Sequence, residues 1–314
     1  MSRPGEALLG ALAREGAAAS RSAPAILWRF SRPHTIVGTT LSVSALYAIA
    51  VTALAGRDLG AAPFDLWWTL LAAWCVNVFI VGINQITDVE IDRVNKPFLP
   101  IASGELSMGA ARWIVAASAV VPVAMALTQG ALETGAVLAG LAVGAAYSLP
   151  PLRLKRYPLL ASLCITGVRA VVVNLGVALH FTGGGVPAGV WALTLFVVPF
   201  AFAIAVLKDV PDLEGDRRYR ITTFTVRLGG RRVLHMGLAA LAVAYLGMAV
   251  LGPLLLDGAQ PVVLAGTQLA VLAMLLRAGF AADPADPEGF TRFYMTVWKA
   301  FFLEYVLVPL AFVL

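Results

Sequence analysis

The chain contains nine stretches of largely apolar residues, each about 20 residues long, the length that an α-helix needs to cross a bilayer core of roughly 30 Å. Of its 314 residues, 60% are hydrophobic and only 13% are charged. Soluble domains are roughly 45–50% apolar, so this composition excludes an ordinary soluble fold. The sequence therefore predicts an all-α integral membrane protein with nine transmembrane helices.

The predicted spans divide the chain into a short arm and a single membrane domain. The approximate bounds of the spans are 35–55, 66–86, 110–128, 132–149, 160–181, 189–207, 233–253, 261–280 and 296–314. The third and fourth spans meet at Gln129-Gly130, which predicts a tight helical hairpin. Residues 1–30 are expected to form an N-terminal arm without the apolar core of a secretory signal, and residues 31–314 the nine-helix domain.

The basic residues of the connections indicate how the bundle is oriented. With nine spans, the N-terminus shares a side with the loops after spans two, four, six and eight, and the C-terminus lies across the membrane. The opposite side carries only Arg57. By the positive-inside rule the basic side is cytoplasmic. This explains the net charge of +5 better than nucleic-acid binding does, and it suits a bacterial cell membrane, with a plastid membrane as the alternative.

Two acidic motifs follow even-numbered spans and therefore lie on the same predicted face. Residues four apart share one side of a helix, where like charges repel. Hard oxygen ligands of this kind suit Mg²⁺, which binds through one or two carboxylates plus substrate phosphates. We therefore expect two Mg²⁺ ions bracketing a diphosphate. The first motif comprises Asn84, Asp88 and Asp92, and the second comprises Asp209, Asp212 and Asp216.

The spacing of the second motif partly repeats the first. Asp88-x-x-x-Asp92-Arg93 recurs as Asp212-x-x-x-Asp216-Arg217, each after an even-numbered span. Two four-helix units followed by a ninth helix would bring the motifs face to face. The alternative interpretation, a pair of solvated helix ends, does not account for this repetition.

Basic residues near the acidic motifs are candidates for binding a phosphate group. The loop after the fourth span contains Pro150 and Pro151, which forbid a continuous helix, followed by Arg153 and Lys155. Lys208 and Arg217 are further candidates. Positive-inside bias alone is an alternative explanation for these cations.

Ionisable residues within the predicted spans are costly and indicate function by default. Arg169 lies about ten residues into the fifth span, near mid-bilayer. Asn174 follows in the same span, and Glu304 lies within the ninth. They are candidates for the polar lining of a cavity that receives a small acidic or phenolic molecule. A structural Arg169–Glu304 ion pair is the alternative.

The two motifs together resemble the paired signature of the UbiA superfamily of intramembrane prenyltransferases. Four further stretches resemble homogentisate prenyltransferases within that superfamily, the enzymes that make precursors of tocopherols and plastoquinone. These stretches are Trp28 to Ile36, Tyr147 to Lys155, Val168-Arg169 with Val173 to Gly176, and Trp298-Lys299 with Glu304-Tyr305.

The resemblance implies a fold, a reaction and a set of site residues. The fold is a nine-helix bundle around a central cavity open to lipid. The reaction is Mg²⁺-dependent transfer from an isoprenyl diphosphate to an aromatic acid, homogentisate, with loss of CO₂. The resemblance assigns the metal–diphosphate shell to Asn84, Asp88, Asp92, Asp212 and Asp216, with the four aspartates as metal ligands. It also places Lys155 and Asp209 at the substrates, where we expect Arg32, Arg153, Arg169, Asn174, Lys208 and Glu304 as well.

Three alternatives remain open at the level of sequence. The acceptor could instead be 4-hydroxybenzoate or dihydroxynaphthoate. A cation-coupled transporter would also use membrane carboxylates, although transporters hold their ions near the bilayer midplane and these motifs lie at helix ends. A nucleotide-dependent phosphotransferase would carry one dense acidic motif, not two distant ones.

Overall fold

The computed structural model describes residues 22–53, 62–219 and 221–311. Within these ranges the regular structure is helical, and nine helical segments are long and apolar enough to cross a membrane. The predicted all-α fold with nine transmembrane helices is confirmed. Most of the predicted N-terminal arm and Arg57 lie outside the described residues, so the division into arm and domain stays a prediction.

In the part of the chain that the structure describes, six helices precede the proline-containing loop. They are α1 (Ala23–Phe30), α2 (Pro33–Ala53), α3 (Ala62–Thr87), α4 (Val89–Asn95), α5 (Met108–Gln129) and α6 (Ala131–Ser148).

The remaining helices follow a single turn of 3₁₀ helix at Leu154–Arg156. They are α7 (Pro158–Thr166), a π-helical segment (Gly167–Val173), α8 (Asn174–Thr182), α9 (Ala188–Leu207), α10 (Leu213–Arg218), α11 (Phe224–Leu228), α12 (Gly230–Leu255), α13 (Pro261–Ala281) and α14 (Pro287–Leu310). The segments α7, π and α8 are continuous and form one span.

The bounds of these helices follow from local sequence. Lipid offers no hydrogen bonds, so each span satisfies its own backbone as a helix. Ser107 begins α5 by accepting a hydrogen bond from the Ala110 N–H at 3.2 Å, as an N-cap does. Gly130, with φ of 109°, connects α5 to α6 directly, which confirms the predicted hairpin.

The ninth span differs from its predicted bounds. It was expected over 296–314, but α14 begins nine residues earlier, at Pro287, and ends at Leu310. Glu288 and Arg292 make its first turns polar, so an apolar window misses them. The Asp286 carboxylate accepts from the Gly289 N–H at 3.0 Å and Pro287 occupies the first turn, which are ordinary helix-start signals.

The helices form an inner ring and an outer layer. Helix α5 packs against α3, and α12 packs against both α9 and α13. Helix α1 is anchored by Phe30, which is fully buried against Phe79 and Ile83 of α3. The inner helices α2, α3, α6, α9, α14 and the α7–α8 span surround the space described next.

Candidate active site

A cavity of about 660 Å³ lies inside the ring of inner helices. Its volume is within the usual range of roughly 300–1,000 Å³ for small-molecule sites. Both acidic motifs line one end, which we call the mouth, while Thr69 and Glu133 line the other end. Arg169 and Trp298 line the wall between them. The cavity thus connects the motifs to the interior of the bundle.

The first acidic motif lies where α3 passes into α4. Asp88 interrupts the helix with φ of −117° and ψ of 17°, which the sequence pattern did not predict. Helical hydrogen bonds nevertheless continue across it, from the Asp88 N–H to the Asn84 carbonyl at 3.0 Å and from the Asp92 N–H to the Asp88 carbonyl at 2.8 Å. Asn84, Asp88 and Asp92 therefore remain on one side and all line the cavity.

The second acidic motif follows the end of α9. Asp209 lies two residues after the end of that helix, Asp212 precedes α10, and Asp216 lies within α10. The Asp216 N–H donates to the Asp212 carbonyl at 3.1 Å, so these two residues share one side of the turn. All three aspartates line the same cavity as the first motif.

Two contacts join the motifs directly. The Gly215 N–H donates to Asn95 Oδ1 at 2.9 Å, which ties α10 to the end of α4. Lys96 forms an ion pair with Asp212. The two motifs therefore meet at one end of the bundle, as the sequence predicts. Asn95 and Lys96 provide the contacts that join them.

The buried oxygens of the motifs fit a divalent cation. Asp92 Oδ2 and Asp216 Oδ2 are buried without a hydrogen-bond partner. Burial raises the pKa of Asp92 to about 6 and, with the nearby charges of Asp209 and Asp212, that of Asp216 to about 7. Hard carboxylate oxygens that lack partners are suitable Mg²⁺ ligands.

The carboxylates do not form a closed metal cage by themselves. Among the described residues, no three acidic, His or Cys side chains converge closely enough to hold an ion on their own. Lys155 lies beside Asp88, as Lys96 lies beside Asp212. This arrangement matches the way Mg²⁺ commonly binds, through one or two carboxylates with substrate phosphates completing the shell.

The predicted phosphate-binding cations mostly surround the mouth. Lys155 Nζ lies 2.8 Å from Asp88 Oδ1 and 2.7 Å from Thr87 Oγ1, and burial lowers the pKa of Lys155. Lys208 Nζ lies 2.5 Å from Asp209 Oδ1. Arg32 lines the mouth and its buried Nε has no hydrogen-bond partner. Each is positioned to contact an anion there.

Arg153 occupies a different place from the other cations. Its Nη2 atom lies 3.4 Å from Asp88 Oδ1, but the residue is not among those that line the cavity. Arg153 thus supports Asp88 from outside. Arg217, at the end of α10, is likewise absent from the described lining.

Arg169 lies deeper, against aromatic rings. Its guanidinium carbon is 4.5 Å from the Trp298 ring centroid and 5.8 Å from that of Phe301. The His34 ring meets the Trp298 ring edge-on, with 4.9 Å between centroids. Trp298 Nε1 is buried without a partner. A cation on aromatic faces, with a free N–H donor beside it, is suited to a carboxylate-bearing aromatic molecule.

Two predicted substrate-binding residues are not brought to the cavity. Asn174 is fully buried and its Oδ1 accepts from Tyr305 Oη at 2.9 Å. Glu304 accepts from Gln268 Nε2 at 3.2 and 3.1 Å. Neither belongs to the described lining, so both stabilise helix packing instead. The described ion pairs include none between Arg169 and Glu304, so the alternative of an Arg169–Glu304 ion pair is wrong.

Sequence reasoning missed several residues of the site. Asn95 and Lys96 directly follow the first motif, but their partners are more than a hundred positions away. The π-helical segment around Arg169 carries no obvious sequence signal, although such segments are frequent at functional sites. His34 lies within the Trp28-to-Ile36 stretch that carries the family resemblance, but nothing in the local sequence predicts its contact with Trp298.

Comparison with known proteins agrees with this geometry. The model of the UbiA prenyltransferase family matches residues 42–302. The chain belongs to the UbiA prenyltransferase family. It is 45% identical over 293 residues to "Homogentisate phytyltransferase" of Synechocystis sp., covering 90% of this chain and 94% of that protein. The predicted resemblance and the assignment as an aromatic prenyltransferase are confirmed.

Two further UbiA-family proteins broaden the comparison. The chain is 38% identical to the chloroplastic "Homogentisate solanesyltransferase" of Arabidopsis thaliana, over 90% of this chain and 75% of that protein. The fold matches a UbiA homologue from Archaeoglobus fulgidus bound to GPP and Mg²⁺, with a TM-score of 0.66 and 18% identity, over 92% of this chain and 100% of that one. A likeness at that identity supports the fold.

The contact between Gly215 and Asn95 makes a specific prediction. A Cβ atom at Gly215 would lie 2.2 Å from Asn95 Oδ1, so in Gly215→Ala the Asn95 side chain must move and strain or lose the hydrogen bond that ties α10 to α4. Overpacking of this kind costs about 1–3 kcal/mol, which corresponds to roughly a five- to hundredfold loss if it falls on the reactive geometry. We expect a loss of kcat/KM in that range and a lower melting temperature of the purified prenyltransferase.

Matched variants isolate this effect. Gly109→Ala places a methyl group in open space on α5 and should leave both quantities nearly unchanged. Adding Asn95→Ala to Gly215→Ala removes the obstructing atom and should restore part of the activity. If Gly215→Ala behaves like Gly109→Ala, the close approach of the two motifs is not needed for turnover.

Proposed function

We propose that this prenyltransferase attaches an isoprenyl group to homogentisate with loss of CO₂, a reaction of tocopherol- and plastoquinone-type prenylquinone biosynthesis. The donor C–O bond breaks and diphosphate leaves, while a ring carbon forms the new C–C bond and loses its proton. The C–COO⁻ bond breaks, and the methylene carbon takes up a proton. The observation that carries the proposal is one cavity with anion-binding residues at its mouth and Arg169 on aromatic rings in its wall.

The mouth residues act on the donor. We assign Asp88, Asp92, Asp212 and Asp216 to two Mg²⁺ ions, which, when bound, would neutralise the diphosphate oxygens and favour their departure. Arg32, Lys155 and Lys208 would donate hydrogen bonds to the same oxygens. Lys155 and Lys96 would exchange their aspartate partners for phosphate as the donor binds. Fixed positive charge aimed at a departing anion supplies a large part of such catalysis.

The wall residues act on the acceptor. The Arg169 guanidinium can bind the acceptor carboxylate with two parallel hydrogen bonds, and Trp298 Nε1 can donate a third. The Trp298 and His34 rings can pack on the acceptor ring. The apolar surroundings exclude water, which protects an allylic carbocation from hydrolysis. The names of the 45% and 38% identical relatives support homogentisate as the acceptor.

A matrix of substrates tests this function. Purified full-length protein in lipid nanodiscs would be given Mg²⁺, a series of isoprenyl diphosphates, and homogentisate, 4-hydroxybenzoate or 1,4-dihydroxy-2-naphthoate, with products identified by mass. We expect product only with homogentisate, at a mass corresponding to loss of CO₂, together with stoichiometric diphosphate. If the protein prenylates 4-hydroxybenzoate or 1,4-dihydroxy-2-naphthoate but not homogentisate, the acceptor is a different aromatic acid.

We further propose that the mouth faces the cytoplasm of a bacterial cell. The loops on that side carry nearly all connecting cations, which supports this orientation. In a Cys75→Ala/Cys164→Ala background, Ser103→Cys is expected to be shielded from a membrane-impermeant maleimide in intact cells. Asp257→Cys, in the loop between α12 and α13, is expected to react. If only Ser103→Cys is labelled, the mouth faces the outside of the cell and the proposed orientation is wrong.

A further inference from the structure

The far end of the cavity is closed by a buried polar cluster that plays no part in the reaction at the mouth. Glu133, in the first turn of α6, is only 4% exposed, and Thr69 of α3 is 3% exposed. Thr69 Oγ1 lies 3.4 Å from Glu133 Oε2, and His180 Nδ1 lies 3.7 Å from the same oxygen. Thr69 and Glu133 line the cavity, whereas His180 stands behind them.

The space leading to this cluster has the shape and chemistry of a pocket for an apolar chain. Small apolar residues from three helices line it, with no charged side chain among them: Ala73, Val76, Ala136, Val137, Gly140 and Gly176. Such a lining offers an isoprenyl tail contact without hydrogen-bond partners. The polar cluster is the first group at this end that a tail would have to desolvate.

The helices on two sides of this pocket are tightly packed. A Cβ at Gly140 would lie 3.0 Å from Val76 of α3, and one at Gly176 would lie 2.7 Å from Ala136 of α6. Helix α6 therefore packs closely against both α3 and α8. A tail lying between these helices is directed towards Glu133 and Thr69.

The depth of the pocket matches one length of tail. Asn84 at the mouth and Thr69 at the far end are fifteen residues apart on α3, or about 22 Å at the rise of an α-helix. Tyr147 and Glu133 are fourteen residues apart on α6, or about 21 Å. An extended chain advances about 1.2 Å per main-chain bond, so four isoprene units, with sixteen main-chain carbons, span about 19 Å. Nine units would span about 43 Å by the same measure.

We propose that Glu133, held by Thr69 and His180, is a stop that limits the donor to four isoprene units. This inference rests on the proposed function, because it assumes that an isoprenyl diphosphate binds with its diphosphate at the mouth. A five-unit tail would bring its terminal methyl groups against the carboxylate and break its contacts with Thr69 and His180. The stop selects the donor by length and leaves acceptor choice to the Arg169 region.

The test is a competition between donors of different length. Purified full-length protein receives homogentisate with geranylgeranyl diphosphate (four units) and geranylfarnesyl diphosphate (five units), and kcat/KM is measured for each. We expect the wild type to favour four units by about tenfold or more, the usual scale of steric discrimination in apolar pockets. Glu133→Ala should raise the five-to-four ratio by about tenfold, with turnover of four units retained.

Matched variants make the result specific. Leu132→Ala changes the neighbouring, 43% exposed position on α6 and should leave the ratio unchanged. Ala73→Leu fills the pocket one helical turn before Thr69, and should shift preference towards farnesyl diphosphate (three units). Ala73→Leu also tests the pocket independently if Glu133→Ala does not fold.

The outcomes separate this inference from the proposed function. Absence of homogentisate prenylation by the wild type with every donor would overturn the proposed function itself. Prenylation with equal use of four-, five- and nine-unit donors would leave the function standing and overturn the stop. An unchanged ratio in Glu133→Ala, or an unchanged length preference in Ala73→Leu, would also overturn it and indicate that the tail leaves the cavity elsewhere.

Discussion

Asp88→Asn and Asp212→Asn should each abolish turnover while the protein still folds. Each change removes one negative charge from the mouth and keeps the size of the side chain. A bound divalent cation contributes several kcal/mol to the departure of an anion, so we expect a loss of at least about 10³-fold in kcat. Release of diphosphate at saturating donor, followed across a Mg²⁺ titration, measures this effect.

Both variants should still fold because the side chains that contact these two carboxylates can adjust to an amide in the same place. Asp88 Oδ2 accepts from Asn84 Nδ2 at 2.9 Å, and the mouth is partly open to solvent. Glu90→Gln and Glu214→Gln are matched controls, since both residues are exposed and adjacent to the motifs. They should retain nearly full activity because exposed pairs such as Glu90–Arg93 contribute little. Wild-type-like turnover of Asp88→Asn or Asp212→Asn at limiting Mg²⁺ would exclude a shared metal site.

Those features of the chain that depend on local sequence could be predicted without a structure. A bilayer requires apolar helices of nearly fixed length, so the nine spans follow from the sequence alone. The acidic motifs could be recognised because their residues repeat at helical spacing. The start of α14 was misplaced because its first turns contain the polar residues Glu288 and Arg292, which an apolar window misses.

Features that depend on tertiary contacts could not be predicted in this way. The partners of Asn95 and Lys96 are Gly215 and Asp212, and nothing in the local pattern pairs them. Asn174 and Glu304 are polar residues inside spans, which suggested a cavity lining, but within the packing Tyr305 donates to the Asn174 side-chain oxygen and Gln268 donates to the Glu304 carboxylate. A polar residue in a span must find a partner, and whether that partner is protein or substrate depends on the neighbouring helix.

Arg169→Met should raise the KM for homogentisate by about ten- to a hundredfold, because a hydrogen-bonded charged contact is worth about 1.5–3 kcal/mol. The KM for the donor should not change, since Arg169 lies in the wall of the cavity and the acidic motifs line its mouth. Arg169 is also eleven residues into its span from Pro158, about 16 Å along the helix. Steady-state kinetics with each substrate varied separately distinguishes the two sites.

Two comparisons decide whether Arg169 acts on the carboxylate or only supports the fold. Arg169→Lys keeps the charge but loses the planar pair of donors, so it should recover only part of the affinity. The methyl ester of homogentisate, used as a competitive inhibitor, should bind the wild type and Arg169→Met with similar Ki, because it offers no carboxylate for the guanidinium. If ester and acid lose affinity equally, Arg169 orients the ring through Trp298. If the donor KM rises instead, the guanidinium belongs to the diphosphate site, and recognition of the acceptor must be sought at His34 and Trp298.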